Sequence, residues 1–241
     1  MRALVTGGGR GVGRALARAL RDAGAEVVIC GRDVALLDAT AAELGVVAIR
    51  CDLSRPAGAL DLCARAVRSL GGLDLLINNA AVQVNMSHLG GNGAEVLAAA
   101  QSEIATNLTS VVTLTAAAMP YLVEAQGAVV NIGSGLALAP KAAAPVYCAT
   151  KAALRIYSRA LRYQIEDARL PVQVHHVLLP MVSTDMTAGR GRGKITPARA
   201  AREILAGVRR GSPEIAVGKA RLLPAILRLA PGLAYAMLRR G

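Results

Sequence analysis

The sequence predicts one α/β domain, a doubly wound parallel sheet of about seven strands with helices on both faces, and three observations predict it. Short β-like runs alternate with helical stretches over most of the 241 residues. Several of those runs are nearly continuous in apolar residues, the pattern of a strand covered on both faces. A glycine-rich turn follows the first run directly and opens the first helical stretch. No linker or internal repeat divides the chain, and its length is enough to bury a full sheet between two helical layers.

The strand-like runs fall at 2–6, 26–31, 46–50, 73–78, 128–132, 172–178 and 214–217. Helical spacing covers 12–23, 34–44, 57–70, 94–123, 146–168 and 197–209. Strands that alternate with helices in this way join through right-handed crossovers into a parallel sheet. Residues 188–194 (AGRGRGK), rich in glycine and charge, are expected to form a mobile loop. Residues 219–240 follow the last strand as a basic tail rich in leucine and alanine, interrupted by Pro224 and Pro231.

The first turn reads Thr6-Gly7-Gly8-Gly9-Arg10-Gly11-Val12-Gly13. Glycines there permit positive φ, close approach of backbone to a pyrophosphate and tight packing of helix on strand. The helix that follows presents its first N–H groups to the phosphates. Gly7, Gly9, Arg10, Gly11 and Val12 are therefore candidate cofactor residues. At the end of the second run, a site for NAD would place a carboxylate on the ribose hydroxyls. This chain has Cys30-Gly31-Arg32 there, so glycine occupies that position. Arg32, with Arg10, is expected to hold a ribose phosphate through charge-assisted contacts, which predicts NADP(H) over NAD(H). Asp33 either caps the next helix or contacts the ribose.

A second constellation lies downstream. Tyr147 stands four residues before Lys151, and Ser134 lies thirteen residues before that tyrosine. Reducing a carbonyl requires a hydride on carbon and a proton on oxygen, and a side chain must supply the proton. A free tyrosine titrates near pH ~10, so its phenolate needs a neighbouring cation to exchange protons at neutral pH. Tyr147 and Lys151 share one helical face, where the ammonium provides that field. Ser134, at the end of the fifth run, is placed to donate to the substrate oxygen as charge develops. The bland alternatives are a surface Tyr–Lys pair and a serine helix cap.

Further motifs occur in order: Asp52-Leu53 after the third run, Asn78-Asn79-Ala80 after the fourth, and Thr106-Asn107-Leu108 in the long helical stretch. On this ordered set, residues 2 to about 218 resemble the short-chain dehydrogenase/reductase superfamily. The resemblance implies a Rossmann fold over 1–218 that holds both cofactor and substrate sites. It implies that Asp52 and Leu53 border the adenine, and that Asn78, Asn79 and Ala80 line the cofactor cleft. It makes Asn107, Ser134, Tyr147 and Lys151 a catalytic tetrad, with a water at Asn107 linking Lys151 to solvent. Pro180, Val182 and Thr184 fall in the segment that abuts the nicotinamide. The chain departs from the family pattern at Ala81 and at Pro180-Met181, where glycines are usual, and the run to Thr184 is one residue shorter. The segment from Pro180 to Thr196 is similar to a branch of short-chain oxidoreductases associated with teichoic-acid alanylation operons. Its short insertion implies a small lid.

Composition narrows the partners. The net charge of +12 reads either as solvated arginine on helix faces or as attraction of anions. With no Phe, no Trp and five Tyr, base stacking has little to work with, and nucleic acid is not an expected partner. No apolar stretch reaches membrane-spanning length, and membrane association is not expected. The first strand-like run follows Met1 directly, which is expected to leave no room for a leader, and a cytoplasmic location is the expectation. Cys30, Cys51, Cys63 and Cys148 form no C-x-x-C pair, so neither metal nor disulfide is expected. His88 lies near the expected cleft, and His175 and His176 are expected to pack in a strand. The tail over 219–241 is expected to pack on the domain or on an oligomer partner, and the protein to be a homodimer or homotetramer.

Together these readings predict an NADPH-dependent oxidoreductase acting on a small ketone or secondary alcohol, with Tyr147 as general acid/base. An isomerase, dehydratase or cyclase using the same tyrosine is the alternative, and a non-catalytic dinucleotide sensor stands third.

Overall fold

Along the first strand successive side chains leave on opposite faces of the sheet: Ala3 and Val5 enter one hydrophobic core and Leu4 the other. The computed structural model describes every residue except Pro56, Gly90, Gly91, Arg190, Arg192, Arg240 and Gly241. Its strands are β1 (Arg2–Thr6), β2 (Glu26–Gly31), β3 (Val47–Arg50), β4 (Leu75–Asn78), β5 (Ala128–Ile132), β6 (Gln173–Leu178) and β7 (Glu214–Ala216). All pair in parallel in the order β3-β2-β1-β4-β5-β6-β7, so the predicted seven-stranded doubly wound sheet is the one observed. Several strands begin or end a residue or two from the expected positions, a difference confined to fraying ends.

The helices are α1 (Gly11–Asp22), α2 (Val34–Leu44), α3 (Gly58–Leu70), α4 (Gly93–Ile104), α5 (Ser110–Glu124), α6 (Pro145–Asp167), α7 (Pro197–Arg209), α8 (Leu223–Leu229) and α9 (Pro231–Arg239). Leu16 and Leu20 of α1, Leu37 of α2 and Ile204 of α7 fill one core. Leu62 of α3, Leu114 and Leu122 of α5 and Ile165 of α6 fill the other. Burying each such side chain is worth about 1.5–3 kcal/mol against leaving it in water.

The stretch 94–123 is not one uniform helix. A π turn over Ala105–Thr109 separates α4 from α5, and it carries Thr106 and Asn107. The Asn107 amide is drawn out of the helix, to Val82 and Thr150, while Ser110 Oγ donates back to Thr106 O at 2.8 Å. A π turn adds a single residue, which the apolar spacing of a long helix does not register.

The segment after β6 is closed by a parallel bridge between Val182 and Ile195, with Ser183 N donating to Ile195 O at 2.9 Å. The expected mobile loop 188–194 lies only partly within the described residues, since Arg190 and Arg192 fall outside them. In the tail, Pro224 and Pro231 stand in the first turns of α8 and α9, where a missing N–H costs nothing. Ala234 is fully buried, and Ala142 N donates to Arg239 O at 3.0 Å, so the helical tail lies against the loop that follows β5.

Polar residues cross the sheet in register. Asn78 of β4 pairs with Asn131 of β5, which pairs with His176 of β6. Asn78 Nδ2 donates to Asn131 Oδ1 at 2.9 Å and Asn131 Nδ2 to Ser158 Oγ at 2.9 Å. His176 is fully buried, and neither ring nitrogen meets a hydrogen-bond partner among the described residues. Burial depresses its pKa to about 4; Glu214 opposes that shift and Arg155, Lys151 and Arg162 add to it. The unfolded chain therefore takes up this proton first as pH falls from about 6.5 towards 4, and the folded state loses stability across that window, by roughly 3 kcal/mol at most. Urea midpoints followed from pH 7 down to pH 4 should fall accordingly, and His176→Leu should flatten that part of the curve.

Candidate active site

β1 and β4 are neighbours although their connections run to opposite sides of the sheet, and a crevice opens outside their carboxyl ends. Thr6 at the end of β1 holds the two edges together. Its Oγ1 accepts from Asn79 N at 2.9 Å and Ala80 N at 3.0 Å, while Thr6 O accepts from Asn79 Nδ2 at 2.9 Å. The resulting cleft has a volume of about 490 Å³ and runs along the carboxyl ends of the strands from β3 to β6.

Gly7 adopts a φ of +65°, and Gly13 packs so closely that a Cβ there would sit 2.2 Å from Gly7 O and 2.5 Å from Asn79 Nδ2. The turn thus turns tightly under α1, and Gly9, Arg10, Gly11 and Val12 line the cleft with the N-terminus of α1 facing it. A glycine cradle beneath a helix N-terminus fits the pyrophosphate of a dinucleotide.

Gly31, Arg32, Asp52 and Leu53 line the far end of the cleft. Asp33 Oδ1 accepts from Leu36 N at 3.1 Å, so of its two possible tasks the structure displays helix capping. Arg32 joins Arg50, Asp52 and Arg55 around an adjoining recess of about 310 Å³. The Ser54 hydroxyl holds the Asp52 carboxyl below the usual range, and Arg32 and Arg55 add to that effect. Arg10 does not reach this recess; it lies 3.7 Å from Asp185 across the cleft, in an exposed pair of small energetic weight.

At the other end Ser134, Tyr147 and Lys151 converge. Ser134 Oγ accepts from Leu136 N at 3.1 Å, which caps a short 3₁₀ turn over Gly135–Ala137 and leaves the hydroxyl proton for a ligand. Capping and donation are thus compatible. Tyr147 and Lys151 stand one turn apart on α6, 8% and 3% exposed, so the surface-pair alternative is ruled out by burial. Lys151 Nζ donates to Ile132 O at 2.9 Å and lies 5.6 Å from the Tyr147 ring centroid. Burial lowers the Lys151 pKa to about 8.

Other expected residues sit elsewhere. Asn79 and Ala80 line the cleft, but Asn78 does not; its amide is spent inside the protein on Asn131 and Thr115. Asn107 is buried behind the wall, where Oδ1 accepts from Val82 N at 2.8 Å and Nδ2 donates to Val82 O at 2.9 Å and Thr150 Oγ1 at 3.2 Å. Thr106 faces the cleft in its stead. Pro180, Val182 and Thr184 line the cleft, and Thr184 caps the turn over Asp185–Thr187. His88 is not among the lining residues, and Cys148 is a buried thiol whose sulfur accepts from Lys141 N. Among the described residues no group of His, Cys, Asp or Glu is placed to hold a metal ion.

Three features carry no sequence signal. Arg50 and Arg55 meet Arg32 only because β3 lies beside β2. Lys141, in the loop after β5, and Leu238 of α9 also line the cleft. Neither belongs to a spaced motif.

Residues 1–194 match the family model described as short chain dehydrogenase, and the chain belongs to this family of oxidoreductases, whose fold binds a nicotinamide cofactor. It is 37% identical over 185 residues to the uncharacterized oxidoreductase DltE of Bacillus subtilis (strain 168), covering 76% of this chain and 72% of that protein. A short chain dehydrogenase from Burkholderia cenocepacia J2315, solved in complex with NADP, superposes with a TM-score of 0.85 at 27% identity, over 98% of this chain and 96% of that one. A short chain dehydrogenase/reductase from Burkholderia phymatum, solved in complex with NAD, shares the fold with a TM-score of 0.83 at 20% identity, over 94% of each chain.

The tight contact at Gly13 gives a direct check. Gly13→Ala forces Gly7 and Asn79 apart and is expected to cost about 1–3 kcal/mol, visible as a lower Tm, and to weaken dinucleotide binding measured by calorimetry.

Proposed function

We propose that this protein is an NADPH-dependent oxidoreductase that transfers hydride between the nicotinamide and a ketone or secondary alcohol, with Tyr147 as general acid/base. The observation that carries this reading is the convergence of Ser134, Tyr147 and Lys151 at one end of a single cleft whose other end carries Arg32. The cofactor, when bound, supplies the hydride. The glycine turn and the N-terminus of α1 would hold its pyrophosphate, and Asp52 and Leu53 would border its adenine. Arg32, Arg50 and Arg55 would meet a ribose phosphate with several donors, and this cluster is what favours NADPH.

Tyr147 would give its hydroxyl proton to the carbonyl oxygen in the reducing direction. The Lys151 ammonium, held in place by Ile132 O, favours the phenolate that remains. Ser134 would donate to the same substrate oxygen as negative charge grows on it. Asn107 enters as a positioning member of the tetrad: it ties the segment at Val82 to Thr150 on α6, and so fixes the wall opposite Tyr147. Pro180, Val182 and Thr184 would flank the nicotinamide.

Self-association belongs to the same reading. Leu97 and Ile104 on α4, Val112 on α5, and Ile156 and Tyr163 on α6 are exposed, which suits a homodimer or homotetramer. A cytoplasmic setting is part of the proposal as well, and the four cysteines, all buried thiols, agree with it. No helix among the described residues is long and apolar enough to cross a membrane.

Loss of NADPH absorbance over a panel of carbonyl compounds tests the chemistry. Tyr147→Phe should lower kcat by roughly a hundredfold or more while dinucleotide binding persists; unchanged turnover would remove Tyr147 from the mechanism. Product formed without net consumption of NADPH would instead identify a redox-neutral reaction. For the cofactor, Arg32→Ala should reduce the ratio of NADPH to NADH efficiency by about tenfold or more, and an unaltered ratio would overturn the preference.

A further inference from the structure

The tail carries charge of one sign. No Asp or Glu follows Glu214 in the sequence, whereas Lys219, Arg221, Arg228, Arg239 and Arg240 all do. Arg221 is spent on the protein itself, donating to Glu203 at 2.8 Å and to Ala216 O at 3.0 Å. Lys219, Arg228 and Arg239 are exposed, and their side chains meet no carboxylate among the described residues.

The same segment leaves large apolar side chains in water. Ala220, Leu223 and Ala234 are buried against the domain, but Leu222, Leu229, Leu233, Tyr235 and Met237 are exposed, Leu229 to 84%. Leu233 and Met237, four apart on α9, share one face of that helix. α8 and α9 are fastened to each other, since Ala230 N donates to Ile226 O at 2.7 Å and Leu233 N to Ala230 O at 3.1 Å. Both helices are thus folded before any partner arrives, and docking them costs no ordering of the chain. A twofold contact between copies would set this patch against itself. Cation would then meet cation, with no acid in the tail to answer it. Apolar side chains interspersed with unpaired cations suit instead a surface that offers hydrocarbon beneath fixed anions.

We propose that α8 and α9 form a docking face for an anionic lipid bilayer, on which the protein lies peripherally. Leu229, Leu233 and Met237 enter the boundary between headgroups and acyl chains, with Tyr235 at the level where its ring and hydroxyl are both satisfied. Lys219, Arg228 and Arg239 face the lipid anions. The face rests on the bilayer and does not cross it; the stretch length behind the expectation of no membrane association bears on spanning alone. Leu238, which lines the cleft, stands between Met237 and Arg239, so the docking face and the cleft wall share one short helix.

Co-sedimentation of the whole protein with two kinds of vesicle tests this: phosphatidylcholine alone, and phosphatidylcholine mixed equally with phosphatidylglycerol. Partition onto the anionic vesicles should be tighter by about tenfold or more, and raising NaCl from about 50 to about 500 mM should remove most of that difference. Leu229→Gln, Leu233→Gln and Met237→Gln combined should weaken partition onto the anionic vesicles by about tenfold or more. Lys219→Gln, Arg228→Gln and Arg239→Gln combined should bring the two kinds of vesicle close to equal, and this set decides the matter if the first does not fold. No binding to either vesicle, equal binding of the wild-type protein to both, or binding that either set leaves unchanged overturns the proposal. So does a wild-type protein that ignores vesicles but loses oligomer mass in sedimentation velocity when the three apolar residues are replaced; the face is then a contact between copies. None of these readouts requires turnover, so the oxidoreductase reading stands or falls separately.

Discussion

The hydroxyl of Thr6 is the contact on which the site depends. It sits at the carboxyl end of β1, where the connections of the sheet part to opposite faces, and accepts the N–H groups of Asn79 and Ala80 at the end of β4. Those two donors would otherwise be orphaned at the end of a buried strand. Satisfying them with one side chain holds the glycine turn and the β4 turn at a constant separation, and that separation is the crevice. Gly13 then follows because its neighbours leave no room for a Cβ beside Asn79, and Gly7 because its φ of +65° and its tight approach to Ala80 favour glycine.

A second clamp shapes the wall beyond β4. Glu103 and Asn107 are four residues apart across the end of α4 and the π turn, and both grip the extended segment that leaves β4. Glu103 Oε1 accepts from Val84 N at 2.8 Å, as Asn107 does from Val82 N. Burial pushes the Glu103 carboxyl upward, and the hydrogen bond from Val84 N opposes that shift. The extra residue of the π turn lets Asn107 reach Val82 and Thr150 together, which joins this wall to the helix that bears Tyr147 and Lys151.

The tail shows how a segment outside the sheet reaches the cleft. Leu238 reaches the cleft because α9 lies on the loop after β5, held by Ala142 and Arg239, and Leu223 packs near Gly135. The cleft wall therefore draws on two stretches distant in sequence, the loop after β5 and the tail. Cofactor binding, by contrast, draws on strand ends that any doubly wound sheet presents in the same place.

The sequence by itself determined the sheet, the glycine turn and the order of the polar residues near Ser134, Tyr147 and Lys151. Each of those is local: strands show in apolar runs, turns in glycine, and two residues four apart on a helix share a face whatever surrounds them. Only the tertiary structure decided what depends on packing between distant segments. It removed Asn78 from the cleft, because the partners that consume its amide come from β5 and α5. It placed Asn107 behind the wall through a one-residue change in helical pitch, and it parted Arg10 from Arg32 while gathering Arg50 and Arg55 beside the latter. It also brought Lys141 and Leu238 to the cleft wall, since burial is a property of the folded surface and leaves no mark on spacing along the chain.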